Sequence, residues 1–114
     1  MNEKIDFLTL AAQAKEAYTN VLTQQNNNHS VRMSVFSGQY PWHHHPDSDE
    51  TFICLQGVLT LEFRDREPVI LTPGQAYTVL KGTSHRSHGS GRTVNLSIGI
   101  EGRATVMEQR PLVD

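Results

Sequence analysis

From residue 31 onward, apolar side chains take every second position of the chain. This alternation covers residues 31–35, 59–63 and 93–100. Shorter apolar or β-branched runs occupy residues 51–56, 69–71 and 76–80, and turn-forming residues separate the runs at regular intervals. Because successive side chains of a strand point to opposite faces, the pattern predicts half-buried strands of an antiparallel sandwich or barrel. Gly57 precedes one such run, and we expect it to take the positive φ of a tight hairpin turn.

The first thirty residues have a different pattern. Apolar residues recur there at helical spacing behind Asp6, a residue type that caps helices, so we predict a short amphipathic helix over residues 7–18. Residues 23–28 are polar and rich in turn formers, which predicts a loop. The sequence thus divides into an N-terminal helix with a polar loop, residues 1–30, and a β-domain, residues 31–114.

Length and charge narrow the range of possible partners. The 114 residues suffice for one domain of ordinary size. Ten Lys and Arg against twelve Asp and Glu give a net charge of −2, so there is no excess positive charge to bind nucleic acid or an anionic membrane surface. The first residues lack the basic and apolar pattern of a signal peptide, and we expect a cytoplasmic protein. The single cysteine, Cys54, lies in an apolar run and is interpreted as a core residue.

Five of the six histidines fall in two short clusters, 43–45 and 85–88. If the first cluster is extended, His43 and His45 share one face and His44 lies on the other. A turn over residues 46–49 can bring the carboxylate of Glu50 towards the same point. His85 could supply a third imidazole if its segment opens a neighbouring strand.

Three imidazoles and a carboxylate form a ligand set for a divalent transition metal: zinc, iron, manganese, nickel or copper. On a six-coordinate ion they leave two positions for substrate, water or dioxygen. The alternative is a surface His-His-His run that binds metal adventitiously, with His85 as an ordinary polar residue. Trp42 and Phe36 are interpreted as packing residues.

The same residues resemble the two motifs of small single-domain cupins. The first motif is matched by Gly38, His43, His45, Glu50 and Gly57, and the second by Gly74, Gly82 and His85. The match is imperfect, since Leu80 and Gly89 replace a proline and an asparagine, and the gap from Gly38 to His43 is one residue short. The resemblance implies an all-β fold, a double-stranded β-helix or jelly-roll barrel with a short N-terminal helix outside it. It also implies that His43, His45, Glu50 and His85 are the metal ligands.

Two functions follow as hypotheses. The first is a metalloenzyme acting on a small organic substrate, by oxygenase, isomerase or lyase chemistry. No Ser-His-Asp or Cys-His nucleophile arrangement is evident, so catalysis would depend on the metal, and no catalytic residue is named. The alternative is a non-catalytic cupin module that binds a small ligand or metal for sensing or storage. Titratable groups in the cavity would distinguish them, and the candidates are Tyr40, Tyr77, Arg86 and His88.

The expected assembly is a homodimer. A small sandwich that is not fully closed has edge strands, and pairing with an identical subunit covers one of them. The resemblance to small cupins supports the same expectation, because small cupins are often dimeric.

Overall fold

The computed structural model describes residues 3–108, which form one short α-helix and eight antiparallel β-strands. The elements are α1 (Phe7–Ala12), β1 (Tyr18–Asn26), β2 (His29–Gln39), β3 (His43–His44), β4 (Glu50–Phe63), β5 (Val69–Leu71), β6 (Ala76–Val79), β7 (His85–Ile100) and β8 (Val106–Met107). The prediction of an all-β chain with a short N-terminal helix is confirmed. Within residues 3–108, no helix has the length and apolar character needed to cross a bilayer.

Strand β7 lies at the centre of the sheet. The strand order is β1-β2-β7-β3-β8, and β4 pairs with β5, β6 and β7. The long strands β2 and β4 change register along their pairing with β7, at Phe36/Gly38 and again between Cys54 and Val58. These irregularities mark bends in the long strands. The result is the predicted jelly-roll, or double-stranded β-helix, architecture.

The N-terminal helix is shorter than the sequence predicts. Asp6 caps it as expected, since its side chain accepts a hydrogen bond from Thr9 N at 3.2 Å. However, α1 ends at Ala12, and Tyr18 already pairs with Phe36 in the sheet. The predicted helix over residues 13–18 is therefore wrong. Tertiary strand pairing outweighs the helical spacing of a few apolar side chains.

The predicted polar loop over residues 23–28 is also wrong for most of its length. Residues 23–26 complete β1, whose last pair is Asn26 with His29. Only a two-residue turn separates β1 from β2, and Asn27 in it has a φ of 56°. Asparagine tolerates this left-handed conformation better than most residues, so the polar run supplies a hairpin turn instead of a loop.

Two apolar clusters are buried in the structure. One lies inside the barrel and includes Phe36, Phe52 and Leu61. The other lies beneath α1 and comprises Ala11, Met33, Val35, Val94 and Leu96. Consequently residues 33–36 of β2 and the second half of β7 are buried on both faces, not half-buried as predicted.

Gly57 lies inside one continuous strand, β4, so the predicted hairpin turn at this position is wrong. Its φ is +79°, the positive value expected, and the register with β7 shifts on both sides of Gln56. A Cβ atom at Gly57 would lie 2.6 Å from the carbonyl oxygen of Arg92. Glycine is needed here for a bend and a close backbone approach. Next to this bend, Cys54 is fully buried, which confirms it as a core residue.

Candidate metal centre

Pairing of β3 with β7 places His43 directly opposite His85. Their ring centroids are 4.4 Å apart, and the two residues are 6% and 1% exposed. His45 follows on the same face as His43, with ring centroids 5.1 Å apart, and is also buried. Strand pairing and the period of two therefore bring three imidazoles into the barrel.

Glu50 is the first residue of β4, and its carboxylate completes the cluster. Its Oε1 lies 3.1 Å from His45 Nε2 and 3.4 Å from His85 Nε2. The four side chains offer ligand atoms that all lie within 4.8 Å of one another. Donors bound to one ion at about 2.0–2.4 Å are separated by at most about twice that length. The cluster therefore has the dimensions of a single-ion site.

Hydrogen bonds to backbone carbonyls fix the orientation of the three rings. The Nδ1 atoms of His43, His45 and His85 lie 2.9, 3.0 and 2.9 Å from the carbonyl oxygens of Pro41, Ala104 and Thr83. A carbonyl oxygen can only accept, so each Nδ1 carries a hydrogen and donates it. In the neutral rings each Nε2 therefore holds a lone pair. This is the arrangement that carbonyls impose on metal-binding histidines.

The lone pairs of these rings converge on a carboxylate. Among the described residues, Glu50 Oε1 and His85 Nε2 are buried and have no hydrogen-bond partner. Acceptors facing acceptors in a buried site repel one another unless a positive charge lies between them. A divalent cation fits this donor set, because three nitrogen ligands and one carboxylate oxygen are already oriented towards one point.

The pKa values of the cluster reflect the same environment. Burial lowers the pKa of His43 to about 4, so this ring is neutral at physiological pH. Burial also acts to lower the pKa of His45, but its contact with Glu50 outweighs burial and raises it. For Glu50, burial is likewise outweighed, here by the contacts with His45 and His85, which hold its pKa well below the usual range. The carboxylate thus stays charged and attracts a cation or a proton.

His44 points away from the cluster, as the period of two predicts. Its Nδ1 lies 2.6 Å from Oε2 of Glu108, whose other oxygen accepts a hydrogen bond from Ser84 Oγ at 2.5 Å. Trp42 also lies outside the cluster, with the guanidinium groups of Arg64 and Arg86 at 4.3 and 4.8 Å from its ring centroid. The contacts of His44, Ser84 and Arg64 thus hold Glu108, the residue directly after β8.

A cavity of about 160 Å³ adjoins the buried cluster. Its wall is mainly polar and hydroxyl-bearing: Tyr18, Asn20, Ser34, Tyr40, Ser87, Asn95, Ser97 and Thr105, with Phe36, Phe52 and Arg103. Of the four titratable candidates named from the sequence, Tyr40 lines this cavity. Tyr77 packs against Phe63 and Arg86 pairs with Glu62, while His88, with a buried Nδ1, is not among the described residues of the wall.

Sequence reasoning missed Arg103 and the polar wall. Ser34, Asn95 and Ser97 occupy the polar positions of alternating strands, which are usually read as solvent-facing. Their apolar neighbours are covered by α1 instead, so the polar face turns inward. The amphipathic helix in the sequence was the feature that could have indicated this orientation. A helix with an apolar stripe needs an apolar sheet face to pack against, so the apolar face of these strands can lie outside, beneath the helix.

Comparison with known proteins identifies relatives along almost the whole chain. The family Cupin_2, described as a cupin domain, matches residues 29–99. A relative from Bacillus subtilis strain 168, the uncharacterized protein YdbB, is 41% identical over 112 residues, which cover 97% of this chain and 99% of YdbB.

Solved structures agree with this match. A cupin-2 domain containing protein from Shewanella frigidimarina NCIMB 400 is 26% identical, with a TM-score of 0.77 and coverage of 82% of this chain and 91% of that one. The hydroquinone 1,2-dioxygenase PnpCD, in complex with Cd²⁺ and 4-hydroxybenzonitrile, is 19% identical. Its TM-score is 0.69, with coverage of 85% and 72%, and this likeness concerns the fold alone.

Proposed function

This chain belongs to the cupin domain family, and from that premise we propose that it is a metalloprotein that binds one divalent transition-metal ion in its buried cluster. The ligands are the four side chains that converge there: His43, His45, Glu50 and His85. The observation that carries the proposal is that two buried acceptors, Glu50 Oε1 and His85 Nε2, have no hydrogen-bond partner in the part of the chain that the structure describes. Unpaired buried acceptors are costly, and a shared cation satisfies both.

We further propose that the bound metal serves an enzyme acting on a small organic substrate, by oxygenase, isomerase or lyase chemistry. A metal held here supplies a Lewis acid for an oxygen atom of the substrate. The chain contributes proton-bearing groups beside it. Burial, aided by the neighbouring Tyr18 and by the carboxylate of Glu50, raises the pKa of Tyr40, so its hydroxyl stays protonated and can donate to a ligand. Polar side chains of the wall, such as Asn95 and Ser97, provide further contacts.

The presence of Tyr40 in the cavity wall favours an enzyme over a passive binding module, because a passive module has no need of titratable groups beyond the ligands. The dioxygenase PnpCD, whose structure contains Cd²⁺ and a phenol, has a domain of this fold. That likeness supports a metal-dependent role without selecting the reaction.

Elemental analysis tests the proposal. Protein purified without an affinity tag and dialysed against each divalent ion in turn should retain one ion per chain, with first-row transition metals held more tightly than magnesium or calcium. Turnover is then followed with the loaded protein, by oxygen uptake and by mass spectrometry of small carboxylic acids, sugars and phenols. Retention of metal with no turnover of any of these compounds would favour the binding module. Retention of no metal would contradict the proposal.

We also propose a homodimer. Strand β1 lies at one edge of the sheet, and its Tyr18 and Leu22 are 47% and 37% exposed. An unpaired edge is the natural place for a second copy to add its own strand. Light scattering at micromolar concentration should give twice the chain mass, whereas the mass of a single chain would contradict this assembly.

A further inference from the structure

Arg103 places a positive charge beside the metal cluster. It follows the turn after β7, and its Nη2 donates to Glu50 Oε2 at 3.2 Å while its Nη1 donates to Ile100 O at 3.2 Å. Because Oε2 is held in this way, the other oxygen, Oε1, is the one that faces the histidines. The guanidinium therefore orients the carboxylate and lies in the wall of the cavity.

Some N–H donors of the Arg103 guanidinium have no acceptor within residues 3–108. Among the described residues, Arg103 Nε is buried and has no hydrogen-bond partner. A guanidinium offers five N–H donors, and the contacts with Glu50 and Ile100 use two of its nitrogens. An unpaired buried donor on a charged group is unfavourable unless a ligand completes it.

Gly99 makes room for this arrangement. A Cβ atom at Gly99 would lie 3.1 Å from Arg103 Cζ and 3.2 Å from Arg103 Nε. A side chain at this position would crowd the guanidinium, which would have to shift by a few tenths of an ångström. The bare backbone of Gly99 in β7 therefore leaves the space in which the guanidinium of Arg103 lies.

Charge counting indicates what the cavity attracts. Among the described residues of its wall, Glu50 and Arg103 carry the full charges and cancel each other. If the proposed divalent ion binds, the site gains two positive charges that no side chain of this wall offsets. Beside a buried metal cluster such an excess of positive charge favours an anionic ligand.

We propose that the substrate or ligand of this site is a small organic carboxylate, held between the metal and the guanidinium of Arg103, and that Arg103 determines this specificity. The inference rests on the proposed metal-dependent function. A planar guanidinium recognises a carboxylate through its N–H donors, and Arg103 lines the cavity with N–H groups beyond the two that Glu50 and Ile100 accept. The cavity of about 160 Å³ compares with the roughly 150 Å³ that accommodates benzene, so the carboxylate has about six non-hydrogen atoms.

Calorimetric titration of the metal-loaded protein with lactate and with lactamide tests the proposal. The two compounds have the same number of non-hydrogen atoms, and only lactate is charged. Lactate should bind at least about tenfold more tightly than lactamide, as expected for a charge-assisted contact. In Arg103→Gln this preference should fall by at least about tenfold, and in Arg103→Lys, which keeps the charge but loses the planar donors, by at least about threefold. Arg66→Gln, which removes an exposed arginine paired with Asp65, should change nothing.

The metal content of each protein separates the possible failures. Arg103 orients Glu50 but is not itself a proposed ligand, so each Arg103 variant should still hold one ion per chain when the metal is supplied in excess. A wild-type chain that retains no metal contradicts the proposed function and this inference together. A metal-loaded wild type that binds lactamide as tightly as lactate, or binds neither, contradicts the inference alone. So does a folded Arg103→Gln or Arg103→Lys protein with an undiminished preference, where circular dichroism reports the folding.

Discussion

His43 and His85 face each other directly across the β3–β7 pair, although they lie on segments more than forty residues apart in sequence. This pairing turns two separate histidine clusters into one site. Glu50 approaches from the start of β4, and Arg103 fixes which of its oxygens faces the rings. The cluster is thus assembled by strand register, so variants that disturb register should disturb metal binding even where they touch no ligand.

Two glycines test how tightly the register is fixed. A Cβ atom at Gly57 would lie 2.6 Å from Arg92 O, at a φ of +79°. At Gly74 the φ is +90°, but a Cβ atom would meet nothing within 4 Å. Gly74→Ala should therefore lower the unfolding free energy only by the cost of placing an alanine at a positive φ, about 1 kcal/mol. Gly57→Ala adds a clash and should cost more than about 2 kcal/mol in urea unfolding. Equal losses would show that the close approach at Gly57 is not maintained in solution.

The second prediction follows from the orientation of the strands, whose polar face lines the cavity while their apolar face packs beneath α1. Met33 is fully buried beneath α1, whereas Asn95 lines the cavity and its Oδ1 has no partner among the described residues. Met33→Ala should lower the unfolding free energy by about 2–5 kcal/mol, since it opens a void in a packed cluster. Asn95→Ala should lower it by less than about 1 kcal/mol, because it removes an unsatisfied polar group from a cavity. The reverse order would mean that the faces are assigned wrongly.

Acid should destabilise the metal-free protein through His43. Its pKa is lowered by burial to about 4, so between pH 6.5 and pH 4 the unfolded chain binds a proton that the folded chain does not. The stability due to neutral His43 is complete above pH 6.5 and falls as the pH drops, by up to roughly 3 kcal/mol at pH 4. His45, whose pKa is raised, acts with the opposite sign: its contribution is present at low pH and is lost as the pH rises.

Urea unfolding in the presence of a chelator measures this effect. The wild type should lose more stability between pH 6.5 and pH 4.5 than His43→Gln, which lacks the titrating ring. An identical pH dependence in the two proteins would contradict the assignment of His43 as a buried neutral imidazole.

The sequence predicted which histidines lie together better than it predicted the strands that bring them there. The period of two within residues 43–45 was enough to separate His43 and His45 from His44, because the rule is local. The strand at Tyr18–Asn26 was not predicted because its pairing with β2 is a tertiary interaction, and because its second half is a polar run of turn formers that is typical of a loop. The place of Arg103 in the cavity wall could not be predicted, because it depends on a turn and on the space beside Gly99, and no local sequence pattern indicates either.

The most direct test of the account compares His45→Ala with His44→Ala, measuring metal per chain by elemental analysis after dialysis of tag-free protein. The two residues are adjacent, and the structure places His45 in the buried cluster and His44 against Glu108 on the outside. His45→Ala deletes an inward ligand and should retain almost no metal, whereas His44→Ala should retain most of the wild-type content. Equal loss in the two variants would contradict the interior site and would mean that the histidine triplet binds metal as a surface cluster.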